Sequence, residues 1–157
     1  MNPSSIRLEV SQGAIKTFAD LVLDYTGTLS LDGVLLPGVS ERLEHLAASL
    51  RITVLTADTF GTAMTQLKGL PVEIRTIRVG KDKADVVRTM GGEKVIAIGN
   101  GRNDIPMMEF AGLAIAVIGP EGASGELLRV VDVVVRDVIE ALDLIAHPLR
   151  LKATLRD

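Results

Sequence analysis

Four short stretches of this sequence hold residues able to do chemistry together. They are Asp24 and Thr26 in Asp24-Tyr25-Thr26-Gly27-Thr28-Leu29, Thr56 to Asp58 after Leu55, the lysines Lys81 and Lys83, and Asn100, Asn103 and Asp104. Carboxylates, hydroxyls, amides and a lysine suit phosphoryl transfer. A carboxylate such as that of Asp24 attacks phosphorus in line and forms an acyl phosphate, splitting one difficult hydrolysis into two steps. The transferred group spreads charge over its equatorial oxygens, which need donors and cations. Thr56 offers a hydroxyl, and Lys83 or Lys81 a positive charge. Magnesium prefers hard oxygen ligands, often one or two carboxylates completed by water and substrate phosphate. Asp24, the Thr26 carbonyl, Asn100 and Asp104 supply such oxygens. Gly27 lets the chain turn tightly after the nucleophile.

Each residue alone has an ordinary explanation. An Asp after a strand is often a turn residue, and Asn100-Gly101 is a common turn pair. Asp58, Asn103 and Asp104 have the residue types of helix caps. Lys81 and Lys83 read as solvated charges, Met107 and Met108 as core residues, and His45 and His147 as surface or helix-end residues. The chemical reading rests on their joint placement.

That placement comes from the elements. Short apolar runs at Leu21–Leu23, Ile52–Leu55, Val72–Ile74, Val95–Ile98, Ala114–Val117 and Val131–Val135 read as strands buried on both faces. Helical patterns lie between them at Val39–Leu50, Lys83–Met90, Asp104–Ala111 and Val138–Ala146. Alternation of this kind predicts a doubly wound, mainly parallel α/β sheet with helices on both faces. In such sheets ligands bind at the carboxyl ends of the strands. Asp24, Thr56 and Asn100 all follow strands there. Residues 6–18, around Gln12-Gly13, read as an N-terminal hairpin, and 148–157 as a basic tail. The whole of 1–157 reads as one domain.

Composition narrows the classes. The 157 residues are 47% hydrophobic but only 3% aromatic, so the core is built from Val, Ile, Leu and Ala. A formal charge of −3 argues against a nucleic-acid binder relying on a broad basic surface. The absence of Cys excludes thiolate catalysis and Cys-ligated metal sites. No stretch approaches the roughly 20 apolar residues that span a bilayer, and the start lacks a signal-peptide pattern. A cytoplasmic location without a membrane partner is expected.

At these residues the chain resembles the haloacid dehalogenase superfamily, and most closely its small soluble P-type-ATPase-like members. Asp24-Tyr-Thr-Gly-Thr-Leu29 is similar to the Asp-Lys-Thr-Gly-Thr phosphorylation motif. Leu55-Thr56-Ala57-Asp58 resembles the second motif, Lys83 is placed like the third-motif lysine, and Gly99-Asn-Gly-Arg-Asn-Asp104 resembles Gly-Asp-Gly-x-Asn-Asp. The resemblance implies a Rossmann-like core and an aspartyl-phosphate on Asp24. It implies magnesium held by Asp24, Thr26, Asn100 and Asp104, and a phosphorylated substrate, small or macromolecular, bound by Thr56, Ala57, Lys83 and Asn103.

Two departures bear on rate. Dedicated phosphatases of the superfamily carry a second Asp two residues after the nucleophile, where this chain has Thr26. A hydroxyl does not shuttle protons at neutral pH as a carboxylate does, so hydrolysis is expected to be slow. Asn100 stands where the fourth motif has a metal-ligating Asp, which removes a charge. About 27 residues separate Thr28 from Thr56 and a similar number separate Thr56 from Lys83, too few for a cap domain. The open site then implies cover from a homo-oligomer or from a macromolecular substrate. A non-catalytic regulatory module with this fold, and a capless tetrameric sugar-phosphate phosphatase, stand as alternatives to a phosphatase-like hydrolase.

Overall fold

The computed structural model describes residues 4–11, 13–57 and 61–157. Asp58 and Gln12, both named above, lie outside the described residues. The chain runs β1 (Ile6–Ser11), β2 (Ala14–Phe18), β3 (Asp20–Asp24), β4 (Ser30–Leu31), β5 (Val34–Leu35), α1 (Val39–Leu46), β6 (Arg51–Thr56), α2 (Ala63–Gln66) and β7 (Glu73–Thr76). It continues with α3 (Gly80–Thr89), β8 (Val95–Gly99), α4 (Ile105–Phe110), β9 (Leu113–Val117), β10 (Val133–Val135), α5 (Val138–Ala146) and α6 (Pro148–Leu155).

Six strands form the central sheet in the order β10-β9-β8-β3-β6-β7, and every neighbouring pair is parallel. The order steps outward from β3 in both directions, which places the first core strand in the middle. Alternation along each strand feeds two cores. Leu21, Leu23, Ile96, Ile98, Leu113 and Ile115 face the core that includes α1 and α5 residues, such as Leu43 and Leu142. Val22, Val95, Ala97, Ala114 and Ala116 face the other core, with Val87 of α3 and Met107 of α4. The sheet is therefore covered on both faces, as the consecutive apolar runs predict.

The structure changes several boundaries. α3 begins at Gly80, ahead of the expected Lys83, because the Asp82 carboxylate accepts hydrogen bonds from the amides of Arg78 (2.9 Å) and Val79 (3.1 Å). Those bonds hold the Asp82 carboxyl below the usual range. α1 stops at Leu46, four residues short of the expected end, and Ala47 to Ser49 close it with turn bonds before Leu50 enters the core. The segment before α4 is a 3-10 turn at Arg102–Asp104. The basic tail is a helix, α6, which buries Leu151 and pairs Lys152 with Glu9 of β1 at 3.0 Å.

The hairpin β4–β5 was not expected from strand-length apolar runs, since it has only two residues on each side. Its signal is Asp32-Gly33, both at positive φ (51° and 84°), the conformation of a tight hairpin turn. Gly33 is held from below: its carbonyl accepts from the Tyr25 hydroxyl at 2.6 Å and from the Thr62 hydroxyl at 2.7 Å. Between β3 and β6 the chain adds this hairpin and α1, and between β6 and β7 the described residues add α2. No cap domain is present among them. Among the described residues no helix is long and apolar enough to cross a membrane.

Candidate active site

Asp24 ends β3, Thr56 ends β6 and Gly99 ends β8, so three neighbouring strands deliver their last residues to one edge. A cavity of about 230 Å³ opens there, lined by Asp24, Thr26, Ala57, Lys83, Asn100, Gly101, Asn103 and Glu121. All but Gly101 and Glu121 are residues the sequence points to. Thr56 is buried at the same strand ends.

Lys83 is the lysine brought into the site, while Lys81 is exposed on the same helix. Its Nζ lies 2.9 Å from Asp24 Oδ1 and 2.6 Å from Asp104 Oδ1, and its side chain is 1% exposed. Burial would lower the Lys83 ammonium, but the charges of Asp24 and Asp104 and their hydrogen bonds outweigh it and raise its pKa. Asp24 responds in the other direction. Desolvation first, then the charge of Asp104, push its carboxyl up to about 7, against the lowering effect of Lys83 and of the Thr28 hydroxyl. Two carboxylates thus share one ammonium.

Asp104 has both oxygens engaged. Oδ1 meets Lys83, and Oδ2 accepts from the amides of Asn100 (3.1 Å) and Gly101 (2.9 Å). It is fully buried and ties the β8–α4 loop to α3.

Thr28 carries no separate sequence signal beyond its place in the first motif, yet it ties together two residues that line the cavity. Its Oγ1 donates to Asp24 Oδ2 at 3.1 Å and to Asn100 Oδ1 at 3.3 Å. One hydroxyl therefore gathers a carboxylate oxygen and an amide oxygen. Asn100 Nδ2 is committed to the Gly122 carbonyl at 2.9 Å, which leaves Oδ1 as the oxygen on the Asp24 side. Gly27, at φ +77°, is needed here because a Cβ would fall 2.5 Å from Asn100 Nδ2. Asp24, Thr26 and Asn100 line one cavity and carry hard oxygen donors of the kind magnesium prefers.

Glu121 is the lining residue that no motif marks. It follows β9, so the rule that strand carboxyl ends face ligands, applied to the next strand of the series, points to it.

Comparison with known proteins bears on the family and the fold. Residues 80–140 match the model of the haloacid dehalogenase-like hydrolases. An uncharacterized protein of Methanocaldococcus jannaschii is 51% identical over 65 residues, covering 41% of this chain and 70% of that protein. The chain belongs to the haloacid dehalogenase-like hydrolases. Solved structures repeat the fold at low identity. The cobalt-bound deoxy-D-mannose-octulosonate 8-phosphate phosphatase of Haemophilus influenzae superposes with a TM-score of 0.70 at 18% identity, over 87% of this chain and 90% of that one. A zinc-transporting P-type ATPase superposes with a TM-score of 0.62 at 21% identity, over 76% of this chain and 20% of the pump. This haloacid dehalogenase-like hydrolase thus shares its core both with a stand-alone phosphatase and with a domain-sized part of a pump.

Proposed function

We propose that the chain is a magnesium-dependent phosphatase-like hydrolase that works through an aspartyl-phosphate on Asp24. The observation that carries this is the buried Asp24–Lys83–Asp104 arrangement at the carboxyl edge of β3, with Asp24 also lining a cavity. An Asp24 carboxylate oxygen attacks the phosphorus of an ester or anhydride. The phosphorus–oxygen bond to the leaving group breaks, and the leaving oxygen takes the electron pair. Water then attacks the phosphorus, and the Asp24 carboxylate departs. Lys83 and Thr56 bind phosphoryl oxygens, with Ala57 and Asn103 at the mouth. Asp24, the Thr26 carbonyl and Asn100 would hold the metal, with Asp104 acting through Lys83 and the loop or through water. Bound magnesium offsets the charge of the phosphoryl oxygens.

Thr26 is half-buried beside the nucleophile, and no carboxylate occupies its position. Phosphoryl acceptance is therefore better served than release, and a slow enzyme is the expected outcome. The test is to incubate the folded protein with magnesium and acetyl phosphate, ATP and a panel of phosphomonoesters. An acid-stable acyl phosphate or a beryllofluoride adduct on Asp24 supports the reading. A folded protein with neither adduct nor turnover overturns it and favours a binding module that keeps the fold.

A further inference from the structure

We propose that Glu121 supplies the negative charge that Asn100 lacks, holding magnesium at this site through a metal-bound water. The proposal rests on the magnesium-dependent reading above. Its basis is how the Gly119-Pro120-Glu121-Gly122 loop is built into the site.

The loop is tethered from three sides. Asn100 Nδ2 donates to the Gly122 carbonyl at 2.9 Å, and the Ser124 amide donates to the Asn100 carbonyl at 2.8 Å. Gly119, at φ +62°, packs its backbone so closely on the nucleophile loop that a Cβ would lie 3.0 Å from the Gly27 carbonyl. Glu121 itself reaches across to the hairpin, where its Oε2 accepts from the Asp32 amide at 3.3 Å. The carboxylate is thus fixed by its loop and by one of its own oxygens, and it lines the cavity with Asp24, Thr26 and Asn100.

Charge gives this placement a role. Lys83 offsets one of the two carboxylates beside it, Asp24 and Asp104, so a divalent ion would meet a net single negative charge there. Glu121 raises that to two. The side chain that lost the carboxylate, Asn100, is the one whose amide nitrogen holds the Glu121 loop, a bond that an Asp at position 100 would not donate. Among the described residues no three acidic or histidine side chains stand close enough to ligate one ion together. Glu121 therefore acts from outside the ligand set, accepting a hydrogen bond from water on a metal that characteristically keeps several waters.

The test is calorimetric titration of the whole chain with magnesium alone, for the wild type, Glu121→Gln, Asn100→Asp and the double variant. Glu121 is exposed, so Glu121→Gln leaves the core intact. Glu121→Gln should weaken magnesium binding by about tenfold, the lower end of the range for outer-shell partners. Adding Asn100→Asp to it should recover most of the loss. Equal affinity in the wild type and Glu121→Gln overturns the proposal. Lost turnover at unchanged affinity overturns it too, and would make Glu121 a proton-transfer group. A wild type that binds no magnesium instead removes the metal-dependent reading itself, and the role of Glu121 falls with it.

Discussion

Lys83 Nζ stands 2.9 Å from Asp24 Oδ1, and both side chains are almost wholly buried. The pair joins the first turn of α3 to the end of β3, elements separated by 59 residues in the chain. An ammonium in this position organises the site and is already at hand for a phosphoryl group on Asp24. Its second bond, to Asp104, would keep it in place if Asp24 became the proposed acyl phosphate.

Replacing the lysine tests that dual role. Lys83→Met leaves Asp24 and Asp104 buried without their common counter-ion, and removing one partner of a buried ion pair costs roughly 3–5 kcal/mol. Urea unfolding in EDTA at pH 8 should show a loss of that size. The loss should shrink at pH 5, where Asp24 takes up a proton.

Asp24 itself makes the metal-free protein pH-sensitive in an unusual direction for a carboxylate. Its native pKa is pushed up to about 7 from an ordinary value of 3.8. Between those two values the native state holds a proton that the unfolded chain has given up, so this group removes stability as pH rises. Asp24→Asn abolishes that dependence. In EDTA, the melting temperature of Asp24→Asn should exceed that of the wild type by a margin that grows from pH 4 to 7 and then levels off. A margin independent of pH would contradict the assigned shift.

Thr26→Asp places a proton carrier two residues after the proposed nucleophile. General acid–base groups contribute roughly 10²–10⁴-fold, so the acyl phosphate should break down about a hundredfold faster. Single-turnover decay of phosphorylated protein measures this directly. A lifetime unchanged by the substitution would mean that the missing carboxylate does not limit release.

Tyr25→Phe tests the hairpin anchor. The buried hydroxyl donates to the Gly33 carbonyl at 2.6 Å, while Thr62 supplies a second bond to the same oxygen. Loss of one such bond costs about 1 kcal/mol. Hydrogen exchange should speed up over residues 30–35 and stay unchanged in β3 and β8.

The sheet was legible because buried parallel strands are written as unbroken β-branched and small apolar runs, as in Val95–Ile98. The position of the site followed from those strands, since Asp24 and Asn100 stand at their ends. What sequence left open depended on direction. Lys81 and Lys83 are equivalent as residue types, and only the helix start set by Asp82 decides which of them turns inward. Asp104 and Asn100 both offer oxygens, and only hydrogen bonding shows that Asp104 spends both of its own on Lys83 and two amides. The hairpin and the Glu121 loop were harder to read. Two-residue strands and exposed turns carry no periodic signal, and their positions come from contacts between segments far apart in the chain, such as Asp32 with Glu121.

The doubly held Gly33 carbonyl has a kinetic consequence. A hairpin fastened by two hydroxyls at its turn, with the Leu35 amide also donating to Gln66 at 2.9 Å, is held at several points beside Glu121, which its Asp32 amide meets. Under the proposed hydrolysis, a hairpin so fastened should not limit the entry of substrate or the exit of phosphate. Turnover should then be set by bond making at phosphorus, and added viscogens such as sucrose should leave its rate unchanged.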